Sequence, residues 1–314
     1  MTATRLRSWL ARAGRGIATR HNLPIAAATL LLGAAVWLPP LTLQRPTYQY
    51  LVTFDVTQSM DVDDQRLAGV AVTRLAFARA AAREALRRLP CGSKLGWAVF
   101  ADYRVMPLLL PVEVCANYDG LLASLDSIDG RMRWANASNI GKGATWVIRS
   151  ARAMGPDTRV VFFTDGQESP PLRSNTDAPP MGDIAPGTTG GWLIGVGGDI
   201  AARIPRTDRD GNGLGFWTAA DVVQRLGPGT PGTPHEHLSE LRETHLQALG
   251  ELLGLGYRRL IAPDSAATAM LDPALAQPQP VATDMRWLPA LLGLLLLGWR
   301  FWPDSAWTGR RRAR

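Results

Sequence analysis

Tyr50-Leu51-Val52-Thr53-Phe54-Asp55-Val56-Thr57-Gln58-Ser59-Met60 opens as a β-branched and aromatic run and closes on oxygen-bearing side chains at every second position. The first half reads as a buried strand. The second half places one carboxylate and two hydroxyls, Asp55, Thr57 and Ser59, where that strand ends. Oxygens held at the C-terminal edge of a parallel sheet suit a hard cation such as Mg²⁺. The stretch contains neither Cys nor His, which argues against softer metals.

The flanking sequence alternates helices with strands. Thr73 is placed to cap a helix over 74–89, where Leu75, Ala78, Ala82, Leu86 and Leu89 recur at helical spacing until Pro90-Cys91-Gly92 stops it. Lys94 to Phe100 reads as a strand and Arg104 to Pro111 as its antiparallel hairpin partner. Helices are expected over 118–128 and about 139–154, the second capped by Ser138. Arg159 to Gly166 is a second central strand that again ends in a carboxylate, Asp165. A Pro/Gly-rich loop (167–189), a buried strand (191–198), a turn-rich stretch (199–234), an amphipathic helix (237–253) and a last strand (256–261) complete the body. This order predicts an α/β fold, with a doubly wound, mostly parallel, Rossmann-like sheet covered on both faces.

Three stretches together, Asp55-Val56-Thr57-Gln58-Ser59, Ala137-Ser138-Asn139-Ile140-Gly141 and Thr164-Asp165-Gly166, resemble the metal-ion-dependent adhesion site (MIDAS) of von Willebrand factor A (vWA) domains. The resemblance covers 48–262. It implies a divalent cation, Mg²⁺ or another such as Mn²⁺ or Ca²⁺, at Asp55, Thr57, Ser59, Ser138 and Asp165. Thr57 and Ser59 would ligate directly, and the two aspartates partly through water. Ser138 stands where the family usually has Thr and keeps the hydroxyl. Thr145 is the alternative, but it lies two turns into the helix. The implied role is adhesive: the cation keeps an open position for a Glu or Asp of a partner protein, and no enzymatic activity is expected. Arg74-Leu75-Ala76-Phe77-Ala78, Leu89-Pro90-Cys91-Gly92-Ser93-Lys94, Pro111 to Tyr118, Ile128 to Met132 and Phe163 to Pro171 are similar to vWA proteins of methanol-oxidation clusters, the MxaL/MxaC type. That implies an assembly or maturation factor, one that inserts metal into a periplasmic quinoprotein dehydrogenase. The anchor–vWA–anchor layout also resembles Bat aerotolerance-type proteins, which implies membership of a membrane complex with other subunits.

The layout of the ends follows from charge and hydropathy. The chain has 314 residues and a net charge of +7. Residues 1–22 carry five Arg and no acid, and residues 303–314 carry four Arg against Asp304. The body between is near neutral, so no nucleic-acid partner is expected. Leu23 to Leu43 is apolar enough for a transmembrane helix, since about 20 residues cross a bilayer. A cleavable signal peptide is the competing reading. Trp287 to Trp302 is a second, shorter apolar run, bounded by tryptophans as interfacial anchors often are. Residues 263–285 read as a linker. With both basic tails in the cytoplasm, the body lies in the periplasm of a bacterium, bound to the inner membrane. There Cys91 and Cys115 would either form a disulfide or remain two buried thiols.

Other stretches carry weaker chemistry. Asp208-Arg209-Asp210-Gly211-Asn212-Gly213 begins like an EF-hand loop, but its twelfth position is Ala219, not Glu, so a hairpin turn is expected. His235-Glu236-His237 lacks a third ligand. No P-loop, Cys/His pair or G-x-S-x-G elbow is present. A Mg²⁺-dependent phosphohydrolase at Asp55 and Asp165, with Lys142 nearby, is the catalytic alternative.

Overall fold

Every residue from Tyr50 to Asp55 is buried, so the strand that carries them must be covered on both faces. A computed structural model, which describes residues 22–171, 190–224 and 235–301, shows how. The basic tails, 172–189 of the Pro/Gly-rich loop and 225–234 of the turn-rich stretch lie outside the described residues. The chain divides into two units, 45–279, and 1–44 with 280–314.

The larger unit is built on six strands: β1 (Gln49–Asp55), β2 (Lys94–Ala101), β3 (Arg104–Glu113), β4 (Arg159–Thr164), β5 (Gly191–Gly195) and β6 (Gly256–Arg259). Their order is β6–β5–β4–β1–β2–β3. All neighbours run parallel except β3, which returns antiparallel along β2. Five helices cover the sheet: α1 (Arg74–Arg88), α2 (Tyr118–Asp126), α3 (Ile140–Ala153), α4 (Glu243–Leu253) and α5 (Pro263–Met270). Alternation along the strands divides the core. Tyr50, Val52 and Phe54 pack with apolar residues of α1, α2 and α5. Leu51, Phe100, Phe162 and Leu193 pack with α3 and α4. Phe54 stacks on Phe163 at 5.4 Å between ring centroids, which ties the two central strands together.

This order makes the boundary between β1 and β4 the switch point of the sheet. From β1 the chain moves to β2 on one side, and from β4 it moves to β5 on the other. The loops leaving the two strand ends therefore diverge and open a crevice at the carboxyl edge.

Several expectations need correction. The amphipathic stretch over 237–253 becomes helical only at Glu243. Leu238 and Ser239 instead pair antiparallel with Arg203 and Ala202. Residues 263–285 are not a linker. Pro263 opens α5, whose Ala266, Ala267, Ala269 and Met270 are buried. Tyr50 and Tyr48 anchor the C-terminal end of α5 by donating to the carbonyls of Met270 (2.7 Å) and Leu271 (3.1 Å). Strand Gln277–Thr283 then pairs with Leu41–Thr47.

In the smaller unit, the apolar runs at 23–43 and 287–302 form shorter helices, Leu23–Trp37 and Trp287–Arg300. Leu38 is extended, as a residue before proline prefers, and Pro39-Pro40 ends the first helix. Among the described residues no helix is long and apolar enough to cross a membrane. The two helices approach closely at Gly293, where an added Cβ would lie 3.0 Å from Leu32 Cγ and 3.2 Å from the Ala28 carbonyl. Leu30, Val36, Trp37, Leu294, Leu295 and Trp299 remain exposed.

Cys91 and Cys115 are disulfide-bonded, tying the turn after α1 to the end of the hairpin strand β3. Glu113 closes the same corner, accepting from the Gly92 N–H (2.7 Å) and the Ala116 N–H (2.5 Å). Replacing both cysteines by Ser should lower stability by about 3 kcal/mol, the chain-entropy value for a loop of this size. In urea unfolding this appears as a lower midpoint with a steeper slope, because the unbridged chain unfolds to a more open state.

Candidate functional site

Asp55 is the last residue of β1 and fully buried. Its Oδ1 accepts from both the N–H (2.9 Å) and the hydroxyl (2.6 Å) of Thr57. Its Oδ2 accepts from Thr164 Oγ1 at the end of β4 (2.7 Å). All three donors are neutral. Burial pushes the Asp55 carboxyl up to about 7, the charge of Asp165 adds to this, and the bonds from Thr57 and Thr164 oppose it. A short turn comes next, and Thr57 Oγ1 lies 3.3 Å from Ser59 Oγ.

Asp165 comes directly after β4 and solves the same problem differently. Its Oδ2 accepts from Arg74 Nη1 (2.7 Å) and Ser239 Oγ (2.8 Å), and its Oδ1 from the Gln167 N–H (2.9 Å). Gly166 makes this tight turn possible, with a left-handed φ of 77°. Arg74 is fully buried and also meets Asp64, through Nη2 (2.7 Å) and Nε (3.1 Å to each oxygen). Desolvation alone would raise the Asp64 carboxyl, but the bonds and charge of Arg74 outweigh it and hold it below its ordinary value. Two carboxylates, Asp64 and Asp165, thus share one guanidinium, while Asp55 is bound only by neutral donors.

Arg74 was not among the expected site residues, although its position carried a signal. It is the first residue of α1, where the helix dipole disfavours a cation. A buried arginine there requires carboxylate partners. The Ser239 contact also explains the late start of α4. Ser239 Oγ and the Arg242 N–H (2.8 Å, to the carbonyl) are both bound to Asp165, which holds this segment out of a helix.

Ser138 was expected to cap α3 but does not. Asn139 does, accepting from the Lys142 N–H (3.1 Å), and the Glu168 carboxylate accepts from the N–H groups of Ile140 and Gly141 (3.0 and 3.2 Å). The adjacent amide oxygen reaches the helix end, which releases the Ser138 hydroxyl. The Ser138 backbone exchanges hydrogen bonds with Ser169 at 2.8 and 2.7 Å. Its Oγ is buried without a hydrogen-bond partner. Thr145 turns back onto its own helix, donating to the Gly141 carbonyl (3.1 Å).

The structure therefore gathers all five expected residues at the crevice between β1 and β4. Thr57, Ser59 and Ser138 line one cavity of about 290 Å³, while Asp55 and Asp165 are fully buried at the adjoining strand ends. Among the described residues no group of three or more His, Cys, Asp and Glu gathers to hold a metal. The donors offered here are hydroxyls backed by carboxylates, with one hydroxyl unpartnered. Such an all-oxygen set fits a hard divalent cation. The Asp208 turn joins the antiparallel strands Pro205–Thr207 and Gly213–Phe216, and Asp208 accepts from the N–H groups of Asp210 and Asn212 and from the Asn212 side-chain amide. It is the hairpin turn expected.

Arg74→Met should leave Asp165 buried without its cation and destabilise the fold by about 3–5 kcal/mol in chemical unfolding. Arg74→Lys should recover only part, since an ammonium cannot fork between two carboxylates. Asp64 has a depressed folded-state pKa, so its contribution is present above the ordinary value of about 4. Wild-type stability should therefore decline as pH falls through that range, and Arg74→Met should lack this component.

Neither a family model nor a curated protein matches the chain significantly. Similar solved structures include vWA-type domains. One is an aerotolerance-related membrane protein from Bacteroides fragilis (19% identity, 71% of this chain and 96% of that one, TM-score 0.48). Another is the conserved hypothetical protein BatB from Bacteroides thetaiotaomicron (18% identity, 72% and 97%, TM-score 0.49). A third is a von Willebrand factor type A structure from Catenulispora acidiphila (11% identity, 79% and 43%, TM-score 0.43).

Proposed function

We propose that this chain is a vWA-type module of the adhesive kind, which holds a divalent cation at the crevice and uses it to bind a partner protein. The observation that carries this reading is the grouping of the Thr57, Ser59 and Ser138 hydroxyls on one cavity beside two buried carboxylates, with Ser138 Oγ unpartnered. These hydroxyls would hold Mg²⁺, or Mn²⁺ or Ca²⁺, with Asp55 and Asp165 behind them. The bound ion would supply an open coordination position for a carboxylate from the partner. Thr57 and Thr164 fix the Asp55 carboxylate in place, while Arg74 and Ser239 fix that of Asp165. The role is binding rather than catalysis. Lys142, the basic residue of the hydrolase alternative, is exposed on α3.

The proposed setting is the periplasmic face of a bacterial inner membrane. The Cys91–Cys115 disulfide favours an oxidising compartment. The exposed Leu, Val and Trp side chains of the two apolar helices favour contact with lipid or with other membrane subunits. In that setting the module would act as an assembly or maturation factor, as in the Bat or MxaL/MxaC resemblance. Metal insertion into a quinoprotein dehydrogenase is the narrowest form of this reading.

Two measurements test it. Titration with Mn²⁺, followed by its paramagnetic resonance, should show one site in the wild type that Mg²⁺ displaces and Asp55→Ala loses. Pull-down from solubilised membranes should retain a partner with wild type in Mg²⁺, and release it with EDTA or with Asp55→Ala. Retention of the same proteins in all lanes would reject the cation as the contact.

A further inference from the structure

The turn that carries two of the expected ligands is too short to hold its own shape. Gln58–Asp61 is a single 3₁₀ turn directly after Thr57. Its backbone bonds run from the Met60 N–H to the Thr57 carbonyl (3.0 Å) and from the Val62 N–H to the Ser59 carbonyl (3.4 Å). One such turn fixes too few groups to be stable alone. What packs around it must therefore set its conformation. On the inner side this is the core, where Met60 is fully buried.

On the outer side it is the hairpin of Pro205–Thr207 and Gly213–Phe216. Gln58 is buried and turned toward this hairpin. Its Nε2 donates to the Thr207 carbonyl (3.0 Å), and its Oε1 accepts from the Trp217 indole N–H. Arg133, nearly buried, donates through Nη2 to the Thr207 hydroxyl and through Nη1 to Asp61 Oδ2 (2.9 Å). Hydrogen bonds thus run from Gln58, the first residue of the turn, through Thr207 and Arg133 to Asp61, its last. The hairpin is seated at both ends. At its base the Trp217 N–H donates to the Ile204 carbonyl (3.1 Å). At its tip a Cβ added to Gly211 would lie 3.3 Å from Arg131 Cγ. The loop that supplies Arg133 also presses on the turn, since a Cβ added to Gly130 would lie 2.9 Å from Asp61 Oδ1.

Resting on the cation reading above, we infer that Gln58 and Arg133 are positioning residues for the cation. With the hairpin they hold the Thr57 and Ser59 hydroxyls at the spacing the ion requires, and they act through the backbone of the turn rather than by contact with the ion. Gln58 lies between the two ligands in sequence, so its side chain cannot shift without moving the backbone that joins them. Arg133 ties the far end of the turn to the same hairpin. Thr207 accepts from both residues and makes their effects one. The hairpin therefore contributes to the affinity of the site from 149 residues away. Groups that orient a ligand without touching the metal change its affinity by roughly 10- to 100-fold.

The test uses the full-length protein in detergent. Mn²⁺ affinity is read from the paramagnetic resonance of the free ion, and stability from urea unfolding without metal. Gln58→Leu keeps the bulk of the side chain and removes both bonds to the hairpin. It should weaken Mn²⁺ binding roughly tenfold. Arg133→Met should do the same, and Arg133→Lys should recover only part, since an ammonium cannot fork between Asp61 and Thr207. Thr207→Val keeps the shape and the backbone acceptor and is the mildest of these changes to the fold. It should still weaken Mn²⁺ severalfold, from a position bonded to no expected ligand. Leu214→Ala, at an exposed position of the same hairpin, should leave the affinity unchanged. A brace that serves only the fold would lower the urea midpoint and leave the Mn²⁺ affinity of the folded protein as it is in the wild type. That result in Gln58→Leu or in Thr207→Val overturns the inference while leaving the cation reading standing. Absence of Mn²⁺ binding in the wild type overturns both.

Discussion

Two aspartates buried at adjacent strand ends repel each other across a medium that screens poorly, and the surrounding structure is arranged to answer that cost. Asp165 has a permanent answer. Arg74 reaches it from the start of α1, and Asp64 and Ser239 hold the guanidinium from its other sides. The arrangement links parts of the chain far apart in sequence: the loop after β1, helix α1, the end of β4 and the segment before α4. Asp55 has only neutral hydrogen bonds. The difference between the aspartates is the main electrostatic fact of the site.

How much of this was legible in the sequence depended on whether a feature had a local cause. The two central strands were clear, because apolar runs buried on both faces end abruptly in Asp55 and Asp165. The Thr73 cap was clear as well, and its hydroxyl accepts from the Ala76 N–H (3.1 Å). Features with distant causes were hidden. α5 is short and Ala-rich and read as linker, because its burial depends on small side chains meeting the α1 layer and on two tyrosine hydroxyls some 220 residues earlier. Leu238 and Leu241 fitted a helical period, yet the segment is held open by a bond from Ser239 to Asp165. Arg74 was visible as a residue but not as a partner, since Asp165 lies 91 positions away. At Ser138 and Asn139, adjacent residues competed for one cap, and composition alone does not rank them.

The apolar ends teach a related lesson about length. Hydropathy summed over 23–43 treats Trp37 to Leu43 as a continuation, but a proline pair changes the backbone there and the next residues pair as a strand. Apolar composition and helical length are separate quantities, and proline uncouples them. The exposed Leu, Val and Trp side chains remain the physical reason to look for a covering partner, whether lipid or protein.

The division between the two aspartates also bears on why such a site would be adhesive. Carboxylates that ligate directly would neutralise a divalent ion and leave it little attraction for another anion. Here the expected ligands that line the cavity, Thr57, Ser59 and Ser138, are neutral hydroxyls, with Asp221 and Glu236 elsewhere on its lining. Asp165 is already paired with Arg74, and Asp55 is occupied by three hydrogen bonds from the protein. A cation held by the hydroxyls would keep much of its positive charge toward the cavity, in a setting of low dielectric where that charge acts strongly. It would then favour an external carboxylate over water. Arg74 would contribute to this indirectly, since by satisfying Asp165 it would keep the second carboxylate from quenching the ion. The buried arginine would then be as much a part of the adhesive chemistry as the hydroxyls that would touch the metal.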